Sequence, residues 1–246
     1  SEGATGKPFV NYWIHNGFVN INQEKMSKSL DNFFTIREIL EHYHPEAVRL
    51  FLMSHHYRSP VDFSDQNLKE AQKGLDSLYT LLKDFKEMHN GEVQSSSPHE
   101  QEMRRLIESL PETFEKAMDD DFNTASALGI LQRTTRDLNR VLAEVKKDGS
   151  GGFPSSLLEE GVKTFTTMGN VLGILTIDPI AYFQQKQDEG MKDIGLSEDE
   201  ILKFIEERKT ARANKDWKRA DEIRDELINK GIILEDSPQG TTWKVK

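Results

Sequence analysis

Two lysines three residues apart, Lys25 and Lys28, lie in the run KMSKS beside the small hydroxylated residues Ser27 and Ser29. A lysine ammonium is a mobile point charge, suited to meeting phosphate charge as it develops, and serine hydroxyls can hydrogen-bond the same oxygens. The alternating stretch NYWIHNGFVNI precedes the run, and FFTIREILEHY follows it. The first reads as strand. The second reads as an amphipathic helix, whose start would offer further backbone donors to an anion. A solvated lysine turn would use the same residues, so spacing alone leaves both readings open.

Several elements must position this loop. Residues 8–21 are predicted as one or two strands. Thr35 and Glu38 form a capping box, with Phe34 stapling to Ile39. Pro45 opens a short helix that ends at the turn RSPVD. From Ser64 the period is helical, with Leu68, Ala71, Leu75, Leu78, Leu82 and Phe85 on one face. A second helix carries Met103, Leu106, Leu110, Phe114 and Ala117, with Pro111 kinking or restarting it. A third carries Leu128, Leu131, Leu138, Leu142 and Val145. A fourth opens on a Ser156/Glu159 capping box and carries Leu158, Val162, Phe165, Met168, Leu172 and Leu175. Four such helices on short or flexible connections read as an antiparallel bundle.

Residues 184–193 are polar and unpatterned and read as a linker. A Ser197/Glu200 capping box then starts a helix to about Asn214, a second runs from about 216 to 230, and a strand–turn–strand pattern closes the chain. The expected class is mainly α, ending in a small α+β subdomain with a β-hairpin. The expected segments are 1–62, the helical domain 63–183, the linker 184–195 and the subdomain 196–246.

Composition removes several functions. No apolar run approaches the roughly 20 residues of a membrane span. The absence of Cys excludes a disulfide framework and any thiolate metal site within the chain, and suits a reducing cytoplasm. Asp119–Asp121 lack the alternating spacing of a calcium loop, and His42, His44, His55 and His56 do not read as ligands, so no metal is expected here. Asn123 or Asp121 is expected to cap the helix that follows. The net charge of −10 argues against indiscriminate nucleic-acid binding, yet residues 203–246 hold 11 Lys/Arg against 9 Asp/Glu. A selective binder stays open. With Ser1 first and a strand-like segment soon after it, the chain is expected to be a piece of a longer protein.

The unbroken KMSKS resembles the signature loop of class I aminoacyl-tRNA synthetases. Its surroundings, together with RLFLMSHHYRSPVDFSDQNL, MDDDFNTASALGIL and DWKRADEIRDELINKGIILEDSPQGTTWKVK, resemble the cysteinyl-tRNA synthetases over nearly all 246 residues. The resemblance implies activation of cysteine with ATP and Mg2+, followed by transfer to the tRNA for cysteine. It implies that Lys28 reaches the triphosphate as pyrophosphate leaves, that Lys25 assists, and that Met26, Ser27 and Ser29 shape a loop expected to be mobile without ATP. Trp13 and His15 would lie toward the adenylate; otherwise they are a strand-edge aromatic and a surface histidine. The family's zinc site and its other nucleotide-binding motif are built from residues outside this chain, in the missing N-terminal half of the catalytic domain. Alone, the chain is expected to bind tRNA without completing adenylation.

The resemblance also implies that Arg212, Trp217, Asp221 and Asp236 contact the anticodon. The residue types fit: a tryptophan face stacks an unpaired base, an arginine fork meets a guanine edge, and carboxylates accept from base amino groups. The plainer account is that Trp217 packs and Asp221 pairs with Arg224 or Lys218. Trp243 reads as core. Two other functions share parts of the pattern. An ATP-dependent cysteine ligase acting on a small amine, of the mycothiol type, would generally lack residues 197–246. A helical adaptor making only protein contacts would leave KMSKS unexplained.

Overall fold

The computed structural model describes residues 1–21, 24–25, 35–88, 97–149, 152–237 and 240–245. Contacts divide the chain into two units, Ser1–Pro179 and Ile180–Lys246.

In the first unit a single turn, α1 (Glu2–Thr5), leads into residues 7–18, which are not strand. The expected strands shrink to β1 (Val19–Ile21). The reason is burial: Phe9, Tyr12, Trp13, Ile14 and Phe18 are all exposed, so their alternation meets no covering surface. Gly17 is where this segment meets residues 57–59. Its amide donates to the Tyr57 carbonyl at 2.7 Å, and any Cβ there would strike the Ser59 carbonyl. β1 pairs antiparallel with β2 (Glu24–Lys25) and, after α2 (Ile36–Leu40) and α3 (Pro45–Met53), parallel with β3 (Val61–Phe63). The sheet order is β2-β1-β3. The Thr35/Glu38 capping box at α2 forms as expected, whereas the Phe34 staple lies outside the described residues.

Glu46, in the first turn of α3, is a buried carboxylate. It accepts from the Tyr79 hydroxyl at 2.8 Å, the Leu175 amide at 2.9 Å, and the Thr176 amide and hydroxyl at 3.0 and 2.5 Å. Burial, with this hydrogen bond second, raises the Tyr79 pKa well above its ordinary value.

Four helices form the bundle: α4 (Asp65–Glu87), α5 (Pro98–Asp119), α6 (Thr124–Asp148) and α7 (Ser155–Leu172). All six expected apolar residues of α4 are buried, and so are all five of α6. α5 packs on α6 and α7, and α4 on α3, α6 and α7. α5 runs unbroken through Pro111, so of the two expected outcomes the helix does not restart there. Proline removes one helical hydrogen bond, while buried Ile107, Leu110 and Phe114 hold both sides of it on one core. Ile107 also takes the buried place expected of Leu106. The Ser156/Glu159 box does not form, because α7 begins two residues earlier than that box requires, with Pro154 at its N-cap and the preceding Phe153 buried. Asn123 caps α6, accepting from the Ser126 amide. Asp121 instead accepts from Arg58 Nε and the Tyr57 hydroxyl at 2.7 and 2.8 Å.

In the second unit the polar stretch read as a linker is largely helical, within α8 (Pro179–Ile194). Its composition describes a solvated face, but Met191 and Ile194 pack against a small core and hold the turn in register. α9 (Glu198–Ala213) starts on the expected Ser197/Glu200 box, and α10 (Trp217–Asn229) follows after Lys215, whose φ of 61° reverses the chain. β4 (Ile232–Ser237) and β5 (Gly240–Val245) form the expected hairpin. Ile201, Ile223, Leu227 and Ile232 are the core, with Trp243 packed against it as expected.

Candidate nucleic-acid interface

Arg208 and Arg212 are four residues apart on α9 and so share a face. The β4–β5 hairpin brings Asp236 opposite Thr241. These two placements converge on one carboxylate. Arg208 Nη1 and Nη2 each donate to a different oxygen of Asp236 at 2.9 Å, a fork-on-fork pair. Arg212 Nη1 donates to Oδ2 at 3.0 Å, and the Thr241 hydroxyl donates to Oδ1 at 2.7 Å. The Arg208 fork, with Thr241 next, holds the Asp236 carboxyl far below the usual carboxylate range. Asp221 adds a Coulombic pull on Arg208.

Trp217 stands at the first position of α10, after the N-cap Asp216, and is 59% exposed. The packed alternative is thereby excluded for most of its surface. Among the described residues no ion pair joins Asp221 to Arg224 or Lys218, and Asp221 is exposed. An uncovered indole face, an exposed guanidinium and oriented carboxylate oxygens suit recognition of an unpaired base by stacking and edge hydrogen bonds.

Arg208 was not anticipated. Its signal was legible, since it continues the Ile201, Phe204, Ile205 row at helical spacing, where a charge needs a partner. Its side chain is only 9% exposed, and its Nε has no hydrogen-bond partner among the described residues.

The nucleotide side of the expected site is drawn less fully. Lys25 lies in β2 opposite Asn20, while Met26, Ser27, Lys28 and Ser29, and with them the expected loop mobility, fall outside the described residues. Trp13 is 71% exposed and tilts against Phe9 at 6.0 Å, and His15 is exposed. Among the described residues no group of three or more His, Asp or Glu side chains is arranged to hold a metal ion. The described residues thus offer no seat for the zinc that the resemblance implies. No helix among them is long and apolar enough to cross a membrane.

Comparison with known proteins covers both units. Residues 1–73 match the class I (C) tRNA synthetase catalytic domain, residues 113–176 the DALR domain, and residues 197–243 the cysteinyl-tRNA ligase anticodon binding domain. The cysteine–tRNA ligase of Geobacter metallireducens is 52% identical over 247 residues, covering 100% of this chain and 50% of that protein. That of Geobacter sulfurreducens is 49% identical over 246 residues, with the same coverage. A LeuRS–tRNA–LeuAMS ternary complex from Agrobacterium radiobacter shares 16% identity at a TM-score of 0.48, over 67% of this chain and 22% of that one, too remote to bear on function. The chain spans about half the length of the curated relatives it matches. Along its whole length the chain is thus similar to cysteine–tRNA ligases at near 50% identity, and the residues that carry the Arg208–Asp236 cluster match the cysteinyl-tRNA ligase anticodon binding domain.

Proposed function

We propose that this chain is the tRNA-recognising portion of a cytoplasmic cysteine–tRNA ligase and carries that enzyme's lysine loop. The carrying observation is the exposed Trp217 in the same small unit as the Arg212–Asp236 pair, within the residues that match an anticodon-binding domain. Trp217 stacks on an unpaired base, while Arg212, Asp221 and Asp236 read base edges. The same match speaks against the small-amine ligase and the adaptor.

In the longer protein, the cysteine carboxylate attacks the α-phosphorus of ATP and pyrophosphate leaves with Mg2+. Lys28, with Lys25, meets the charge that grows on the leaving oxygens, and Met26, Ser27 and Ser29 shape the loop that brings the ammoniums in. Trp13 and His15 face the adenylate. Residues 1–62 close the nucleotide-binding domain, 63–183 form the helical domain, 184–195 connect it onward, and 196–246 read the anticodon. Zinc is held by residues outside this chain, in the missing half of the catalytic domain.

The test is binding of the chain to cysteine tRNA with its natural anticodon and with that triplet scrambled, at two salt concentrations. Tighter binding to the natural triplet, lost on Trp217→Ala, supports the reading. Equal, purely salt-driven binding to both overturns the anticodon assignments. No binding overturns the tRNA role of the isolated chain.

A further inference from the structure

Asp236 has no acceptor capacity left. A carboxylate offers about four lone-pair sites, and four donors occupy them: Arg208 Nη1 and Thr241 Oγ1 on Oδ1, Arg208 Nη2 and Arg212 Nη1 on Oδ2. As it stands, this carboxylate cannot accept from a base. One donor must leave first, and the donors are unequal. Arg208 gives two bonds from a side chain 9% exposed, and its withdrawal would strand a buried charge. Thr241 is held by the register of the hairpin, directly across from Asp236. Arg212 gives one bond from a side chain 47% exposed, and water or RNA can replace that bond.

We propose that Arg208 is a positioning residue that fixes Asp236, and that Arg212 is its exchangeable partner. On RNA binding, Arg212 swings from Oδ2 to the RNA, and the vacated site on Oδ2 takes a donor from a base amino group. Arg212 and Asp236 thus mask each other until RNA arrives, and Arg208 keeps the carboxylate aimed while its partner changes. Arg208 touches no RNA; it acts through Asp236. This inference rests on the anticodon reading above and adds to it a fixed residue and an exchange.

A double-mutant cycle in the full chain tests it, read as the ratio of affinities for the cysteine tRNA transcript and the same transcript with its three anticodon bases replaced. Arg208→Met is expected to lower that ratio about tenfold in the wild-type background and to leave it unchanged in an Asp236→Asn background. Arg208→Lys, which keeps the charge but loses the fork, falls between. Arg212→Met lowers the ratio in both backgrounds, because Arg212 meets the RNA itself. If Arg208→Met unfolds the second unit, Arg208→Lys carries the same cycle. A merely structural Arg208 would reduce the ratio equally in both backgrounds; that result, or an unchanged ratio in the wild-type background, overturns the proposal while wild-type discrimination stands. A wild-type chain with no preference between the transcripts overturns the anticodon reading and this proposal together.

Discussion

The bundle and the terminal unit bury their side chains in different ways. α4 alone buries eight residues, seven of them aliphatic or phenylalanine, and every helix it meets adds more. The whole terminal unit buries seven hydrophobic residues among those described, and four of them, Ile201, Ile223, Leu227 and Ile232, form its core cluster. A buried arginine, Arg208, lies in the same unit and is paired with a partly exposed aspartate. A small unit has too little apolar surface to be ordered by burial alone. Here an ion pair takes part of that role, and the same groups remain available for recognition. In the first unit the one buried carboxylate among the described residues, Glu46, stands beside a broad apolar core; in the terminal unit, shape and charge are one system.

The largest expected effect is in the bundle. Leu78→Ala, at a position with no exposure, should cost about 3–5 kcal/mol and lower hydrogen-exchange protection from α3 through α7 while leaving α9 and α10 unchanged. Equal losses in both units would break the comparison. Next is Glu46→Ala, which leaves the Leu175 and Thr176 amides and the Tyr79 hydroxyl without their acceptor. It should cost about 3 kcal/mol, measured by urea unfolding, with the loss again confined to the first unit.

Acid sharpens the contrast. The folded-state pKa of Asp236 is depressed, first by Arg208, so its contribution is complete above the unfolded value of about 3.9 and is lost as pH falls below it. The terminal unit should lose protection from about pH 4 downward, and Asp236→Asn should flatten that dependence. The smallest effect is Ser197→Ala, which removes the α9 cap and should cost about 1 kcal/mol, visible as faster exchange in the first turn of α9.

What could be read in advance follows the same division. The α4 and α6 faces were legible because a 3.6-residue period repeats over six or seven turns, and the Ser197/Glu200 and Thr35/Glu38 boxes because capping is local. Residues 8–18 misled because alternation reports a capacity to be buried, and no covering surface meets it among the described residues. Residues 184–193 read as unpatterned because Met191 is their one large apolar residue, while Ile194 just beyond them packs on the same core and residues 179–183 begin the helix. The resemblance points to Trp217 and Asp236, but not to the grip on Asp236. The partners of a carboxylate are set by tertiary register, and Arg208 lies 28 residues away from it in sequence.

The Glu46 cluster also bears on how the chain is made. Its carboxylate emerges 129 and 130 residues ahead of the Leu175 and Thr176 amides that satisfy it. During synthesis from the N-terminus, α3 can form early, but its first turn cannot be sealed beneath the bundle until the α7 terminus has left the ribosome. Translation therefore delivers the Glu46 carboxylate before two of its partners, and the first turn of α3 gains its full set of donors only when the nascent chain has passed residue 176.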